Sequence, residues 1–220
     1  MLRKIANFFL PKDLMNGIKN YKVKKTENLK IQSSLDKIQK LIQQKEFLNL
    51  EIGSGPKKGS NGWITADMWD GADLYLNLLE PIPFPDNTIH KIYSSHLLEH
   101  FTIRELEKLL KECYRILVYD GVFSVCVPNA RLYIESYCEP EKFDAERFCR
   151  YKPAFVYSSK IDYLNYIAYM DGQHKYMFDE ENLPEILKRV GFKNVRLRDF
   201  DAKIDMESRQ HQSIYAEATK

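Results

Sequence analysis

FLNLEIGSGPKKGSNGWITADMWDGADLYLNLLEPIPFPDNTIHKIYSSHLLEH, running from Phe47 to His100, is the stretch that decides the fold. It opens on a short apolar run, Phe47 to Ile52, that carries an acid at Glu51 and breaks at once into Gly53-Ser54-Gly55. That pattern predicts a strand feeding a glycine turn. Three more apolar segments follow: Trp63 to Ala66, ending in Asp67; Ala72 to Leu78, ending near Asn77; and Ile89 to Ser94, ending at Ser95-His96. Each segment finishes in polar residues, as strands do when their carboxyl ends face a ligand.

In an open α/β sheet, ligands bind outside the carboxyl ends of the parallel strands, and the glycine turn after the first strand lets a ligand approach the backbone. Glycine there adopts positive φ and has no Cβ to block the ligand. An acid at the end of the second strand suits a ribose diol, because a carboxylate accepts two hydroxyl hydrogens. The pattern therefore asks for a nucleoside.

Outward from this stretch, the alternation of strand and helix continues. Thr102-Ile103-Arg104-Glu105 is a capping box, and Ile103, Leu106, Leu110, Cys113 and Leu117 form the apolar face of a helix. An Asp120-Gly121 turn then feeds Val122 to Val127, a near-continuous apolar strand suited to a sheet covered on both faces. Asp179 caps a helix carrying Leu183, Ile186, Leu187 and Val190, and Gly191 ends it. Phe192 to Phe200 and Ser213 to Ala218 read as the last two strands. On the amino-terminal side, Ile31, Leu35, Ile38 and Ile42 recur at helical spacing after a polar stretch at Tyr21 to Glu27, with Ser33 or Ser34 available as cap. This alternation argues for an α/β sheet independently of any family.

Glu51-Ile52-Gly53-Ser54-Gly55, Asp67, Pro83-Phe84-Pro85-Asp86, and Ser95-His96-Leu97-Leu98-Glu99-His100-Phe101 together resemble class I S-adenosylmethionine-dependent methyltransferases, in the small-molecule, type 11-like branch. Gly121 to Asn129 and Glu181 to Phe192 extend the resemblance. It implies a Rossmann-like, three-layer αβα sandwich on a seven-stranded, mostly parallel sheet with an antiparallel last strand. It also implies S-adenosylmethionine as cofactor and S-adenosylhomocysteine as product. The cofactor contacts it implies are Glu51, Ile52, Gly53, Ser54, Gly55, Asp67, Met68, Asn77, Leu78, Ser95 and His96, with Asp73 competing with Asn77 for the adenine amine. Two departures stand out. Lys57 sits where a third glycine is common, and Gly53 and Asp67 lie so close that a crossover helix, which needs about a dozen residues, has little room.

At 220 residues with 44% hydrophobic residues, the chain suits one domain with appendages. The net charge of +2 hides an asymmetry. Residues 1–46 hold 11 Lys and Arg against 4 Asp and Glu, or +7, and the remainder holds 22 against 27, or −5. The basic segment 1–46 reads as a helical arm on a methyltransferase domain at 47–220. Such an arm is either a solvated helix or a contact for an acidic surface. Leu2, Ile5, Ala6 and Phe9 share a helical face, so residues 1–10 are a weak candidate for membrane-surface contact. Pro11-Lys12-Asp13 stops the run short of a signal-peptide core or a span. Cys113, Cys126, Cys138 and Cys149 show no CxxC spacing, which fits a reduced, cytoplasmic protein, in contact at most peripherally with the inner membrane face.

Methyl transfer needs the acceptor atom, methyl and sulfur held in line, and a hydroxyl acceptor benefits from a base. His96, ending the fourth strand, and His174, in Gly172-Gln173-His174-Lys175-Tyr176, are the catalytic candidates. His96-Leu97-Leu98-Glu99-His100 also matches H-x-x-E-H, an inverted zinc-peptidase motif. His96, Glu99 and His100 are accordingly the candidate metal ligands, although the sequence reading assigns no metal, because the motif follows a strand and its residues need not share a helical face. Residues 129–175 carry Tyr133, Tyr137, Tyr151, Tyr157, Tyr163, Tyr166 and Tyr169 and read as a helical insertion that serves as substrate lid. Tyrosines suit sugars or aromatic acceptors, and equally well pack any half-buried surface. The fourth strand lacks the Asn/Asp-Pro-Pro-aromatic run of base methylation, so nucleic acid is not expected. The resemblance implies a small-molecule or saccharide acceptor, and a loose similarity to bacterial enzymes of glycan biosynthesis, together with the tyrosines, implies that context. A methyltransferase-like scaffold without turnover is the rival reading.

Overall fold

The computed structural model describes residues 12–44 and 47–220, so the proposed membrane contact at residues 1–10 lies outside the described residues. The strands are β1 (Asn49–Ile52), β2 (Trp63–Asp67), β3 (Leu74–Tyr75), β4 (Ile89–Ser95), β5 (Leu117–Pro128), β6 (Lys193–Leu197) and β7 (Ser213–Thr219). They form one seven-stranded sheet in the order β3-β2-β1-β4-β5-β7-β6. β1 to β5 pair in parallel, and β7 runs antiparallel to both of its neighbours. The expected Rossmann-like arrangement is thus present, with β1 and β4 central and their carboxyl ends side by side.

The core follows from the apolar runs. Leu50, Ile52, Ile92, Phe123 and Val125 are fully buried, and each such side chain contributes about 1.5–3 kcal/mol by leaving water. Helix α1 spans Lys12–Gln44 and α2 spans Ile103–Ile116. The capping box of α2 is formed on both sides: Thr102 accepts from Glu105 N, and Glu105 accepts from Thr102 N. Leu106, Leu109, Leu110, Cys113 and Ile116 are its buried residues. Leu117 is not on that face, because it already begins β5. The Asp120-Gly121 turn is a kink within β5. Asp120 takes φ 61°, while Leu117 still pairs with Ile89 and Val122 with Lys91, leaving a register shift between.

The largest difference from the sequence reading is α1. Its helix runs unbroken through the polar stretch at Tyr21 to Glu27, where Tyr21 and Val23 are exposed. A helix that is wet all round has no apolar period to announce it. Ser34 is therefore no cap. It lies mid-helix, donates to Lys30 O at 3.0 Å and accepts from Tyr75 N at 2.8 Å. It thereby satisfies a backbone donor on β3, the edge strand. Lys37 bonds Asp73 O at 2.9 Å, and Lys30 pairs with Asp70. No helix lies between β1 and β2, β2 and β3, or β3 and β4, so α1 supplies the cover at that end of the sheet, burying Ile38 in the core.

Residues 129–175 fold as α3 (Ala130–Cys138), α4 (Ala145–Phe148) and α5 (Ile161–Tyr169) with short 3-10 turns between. Their cluster is separate from the main core and is built on Ala130, Tyr133, Cys149, Tyr163, Tyr166 and Ile167. Tyr133 stacks on Tyr166 at 5.8 Å and Phe155 on Tyr163 at 5.9 Å. Helix α6 (Asn182–Val190) follows. Asp179 caps it, accepting from Glu181 N and Asn182 N at 3.0 and 2.7 Å, and Gly191 ends it at φ 117°. Among the described residues, no helix is long and apolar enough to cross a membrane.

Candidate active site

A cleft of about 610 Å³ opens at the carboxyl ends of β1, β2 and β4. Its walls include Glu51, Gly53, Ser54, Gly55, Lys57, Asp67, Ser95 and His96, with Trp69, Tyr93, His100, Gln173 and Arg209. The glycine turn is held open by backbone geometry. Gly53 and Gly55 take φ 69° and 64°, values that cost any other L-residue about 1–2 kcal/mol. A Cβ on Gly53 would lie 2.6 Å from the Leu97 side chain, whereas Gly55 has open space above it. Gly53 N donates to Ala66 O at 2.9 Å, which ties the turn to β2.

Asp67 ends β2 with both carboxylate oxygens engaged. Oδ2 accepts from Gly55 N at 2.8 Å and Oδ1 from Trp69 N at 3.1 Å. Each oxygen has a second lone pair, so the carboxylate remains able to accept hydroxyls. Glu51 is held by Lys57, whose Nζ lies 2.7 and 3.0 Å from its two oxygens. The lysine at the third-glycine spacing thus folds back onto the acid that precedes the turn. Asp73 lies off the cleft wall. Its Oδ2 accepts from Gly59 N at 2.9 Å and from Thr65 N and Oγ1 at 3.2 and 3.1 Å. Burial works against its charge, but these donors from Thr65 and Gly59 prevail and hold the carboxyl below its ordinary value. Asp73 is what pins the helix-free 53–62 loop to β2.

Four of the expected cofactor contacts lie outside the cleft wall. Ile52 is fully buried beneath the turn, and Leu78 is buried in the core. Met68 is exposed, and its neighbour Trp69 lines the cleft instead. Asn77 is exposed and caps its own turn, accepting from Leu79 N at 3.1 Å. β3 ends at Tyr75, too early to carry Asn77 to the ligand edge.

His96 sits at φ 50° between β4 and the 3-10 turn Leu98–His100. Its Nε2 is 2.7 Å from Ser213 Oγ. Burial, followed by the charge of Arg209, holds the imidazole well below its ordinary value, so it is neutral near pH 7. Arg209 donates Nη1 to Ser95 O and Oγ at 3.0 and 2.7 Å. Arg209 and Ser213 were not legible as site residues, because the β6–β7 connection and the start of β7 bring them in from more than a hundred positions downstream and their stretch carries no motif. That connection also brings Ile204 and Met206 to the cleft.

The connection is anchored by Asp205, which accepts from Arg198 Nη1 and Nη2 at 2.6 and 2.8 Å, Tyr93 OH at 2.9 Å and Asp201 N at 2.7 Å. His174 is buried and does not line the cleft; it reaches the site only through His100, with ring centroids 5.1 Å apart. The seven tyrosines of the insertion do not line the cleft either; Gln173 is the insertion's contribution to the wall. Tyr133, Tyr163 and Tyr166 are occupied in packing the insertion on itself.

Residues 50–125 match the family model described as a methyltransferase domain. No curated protein matches the chain. Among solved structures, an S-adenosylmethionine-dependent methyltransferase from Mesorhizobium loti is similar at 12% identity and a TM-score of 0.51, covering 84% of this chain and 96% of that one. One from Archaeoglobus fulgidus is 18% identical with a TM-score of 0.49, covering 87% and 96%. Phosphoethanolamine N-methyltransferase 2 from Haemonchus contortus, solved with S-adenosyl-L-methionine, is 12% identical with a TM-score of 0.48, covering 84% of this chain and 52% of that one.

Proposed function

We propose that this chain, a class I S-adenosylmethionine-dependent methyltransferase by its domain match and fold, methylates a hydroxyl of a small-molecule or glycan-type acceptor. The observation that carries the reading is the single cleft wall shared by the glycine turn, Asp67 and His96. The residues present fit the cofactor. Gly55 leaves room where a Cβ would stand, Asp67 keeps lone pairs for a ribose diol, and both face one cleft of about 610 Å³. Glu51, Gly53, Ser54 and Gly55 would hold the amino-acid end. Bound S-adenosylmethionine supplies a methyl group on a sulfonium, an electrophile that needs alignment more than activation.

The chain's own groups supply the rest. His96, neutral and at the cleft wall, takes the acceptor proton at Nε2 once the acceptor hydroxyl replaces Ser213 Oγ as the partner of that nitrogen. Gln173 and Arg209 offer donors beside it, and Ile204 and Met206 exclude water. The insertion at 129–175 serves as lid through Gln173, and the basic helix α1 covers the β3 edge of the 47–220 domain rather than standing off it as a free arm. The basic charge of residues 1–46 and the sequence spacing of Leu2, Ile5, Ala6 and Phe9 fit a cytoplasmic enzyme that touches the inner membrane face. Two rivals fit less well. An undamaged glycine turn speaks against a silent scaffold. His96 lies on a left-handed residue outside the Leu98–His100 turn, so the H-x-x-E-H peptidase geometry is missing. The test is transfer of a labelled methyl group to a panel of hydroxylated acceptors. His96→Ala should slow transfer by roughly 10²–10⁴-fold while S-adenosylhomocysteine still binds. Equal rates in the two proteins contradict the role of His96.

A further inference from the structure

One cluster next to the cleft is not used by methyl transfer. Glu99 is 2% exposed, and its Oε2 has no hydrogen-bond partner among the described residues. An unpaired buried carboxylate oxygen is costly, so its persistence asks for a ligand. Two imidazoles stand beside it. One donor atom from each of Glu99, His100 and His174 lies within 4.8 Å of the others. The rings are edge to face, 82° apart in plane.

The second observation is how the two rings are held. Nδ1 of His100 is 3.0 Å from Gln173 O, and Nδ1 of His174 is 2.8 Å from Ile167 O. A carbonyl only accepts, so each Nδ1 carries the hydrogen and each Nε2 keeps its lone pair. Fixing a ring through Nδ1–H to a carbonyl is how proteins orient histidines that ligate metals. The backbone is fixed as well, since Lys175 N and Tyr176 N both donate to Glu99 O, at 2.8 and 3.2 Å. The two histidines come from different parts of the chain, one from the turn after β4 and one from the exit of the insertion.

We propose that Glu99, His100 and His174 bind one divalent transition-metal ion, Zn²⁺ first among them, with a free coordination position reached from the cleft. Two nitrogens and one oxygen suit zinc and its neighbours, whereas magnesium and calcium favour oxygen-only shells. Zinc bonds of about 2.0–2.2 Å require the donors to draw closer than their present span of up to 4.8 Å when the ion binds. His100 belongs to the cleft wall, which places the open position toward the cleft. His96 is not a ligand. Its Nε2 is committed to Ser213, and its Nδ1 stands 3.9 Å from Glu99 Oε1.

The site stands independently of the methyltransferase reading, and its test does not involve activity. The chelator-stripped full chain is titrated with ZnCl₂ by calorimetry and with CoCl₂ by visible absorption, with MgCl₂ as the comparison. One equivalent of Zn²⁺ should bind, Co²⁺ should give d–d bands, and Mg²⁺ should do neither. Glu99→Gln and His174→Gln, checked for fold by circular dichroism, should each weaken zinc by more than the roughly 10–100-fold that follows loss of an outer-shell partner. No stoichiometric zinc binding by the wild-type chain overturns the site whatever the variants do. So does zinc binding that both variants keep, which would assign the metal to other side chains such as the exposed Cys138.

Discussion

Replacing Asp205 by Asn is the perturbation whose size the structure fixes best. The carboxylate is fully covered at its side chain, and the Arg198 side chain is 12% exposed. Two guanidinium bonds at 2.6 and 2.8 Å, one from Tyr93 OH and one from Asp201 N converge on it. An amide keeps one acceptor oxygen but turns its NH₂ toward donors, so at least one of these contacts becomes repulsive and the buried guanidinium loses its counter-charge. Breaking a buried pair from one side costs about 3–5 kcal/mol. With a urea slope of about 2 kcal/mol/M, the unfolding midpoint should fall by roughly 1.5–2.5 M. Because the same segment carries Ile204, Met206 and Arg209 to the cleft, affinity for S-adenosylhomocysteine should fall with it.

The pH dependence has a definite sign. Burial pushes the Asp205 carboxyl up, but Arg198 and the Asp201 amide outweigh it and hold the group below its ordinary value. Its contribution is therefore complete above the unfolded value of about 3.9 and is lost as pH falls through the lower folded value. Asp205→Asn should flatten that part of the acid limb. A loss under about 1 kcal/mol, the worth of an ordinary neutral hydrogen bond, together with an unchanged acid limb, refutes the reasoning.

Two further substitutions probe the frame of the site. Gly53→Ala places a Cβ at φ 69°, 2.6 Å from Leu97. It should destabilise the fold by about 1–3 kcal/mol and weaken S-adenosylhomocysteine at least about tenfold, a change of roughly 1.4 kcal/mol, in calorimetry; an unaffected variant contradicts the required turn geometry. Ser34→Ala removes the acceptor of Tyr75 N. It should cost about 1–3 kcal/mol in urea unfolding and speed amide exchange at Tyr75, whereas a change below about 0.5 kcal/mol denies the helix α1 its role at the sheet edge.

Much of the frame was legible because local signals agreed with the global fold. The apolar run ending in Gly53-Ser54-Gly55, the Thr102 capping box and Gly191 each name a structure by their own chemistry, and all were found where the pattern put them. Helix α1 was only half legible, since the segment around Tyr21 to Glu27 buries no stripe and the residues that use Ser34 come from β3. Asn77 lies off the cleft wall because β3 stops after two residues, a length that an apolar run cannot reveal. The site was legible on one wall only. Gly53, Gly55, Asp67 and His96 follow strand ends, but Arg209, Ser213 and Gln173 arrive through long-range topology. The tyrosines of the insertion were ambiguous for a simple reason: the same amphipathic ring serves a pocket or a small core, and here Tyr133, Tyr163 and Tyr166 serve the core.

The measurement that bears most directly on the central claim is calorimetric binding of S-adenosylhomocysteine to the metal-stripped chain, beside the Asp67→Ala variant. The account predicts wild-type binding in the micromolar range, about −8 kcal/mol. It predicts a loss of roughly 1.5–3 kcal/mol in the variant, the worth of hydrogen bonds to a charged group. Absence of binding with and without added Zn²⁺, or binding indifferent to Asp67, contradicts the assignment of this cleft to the cofactor.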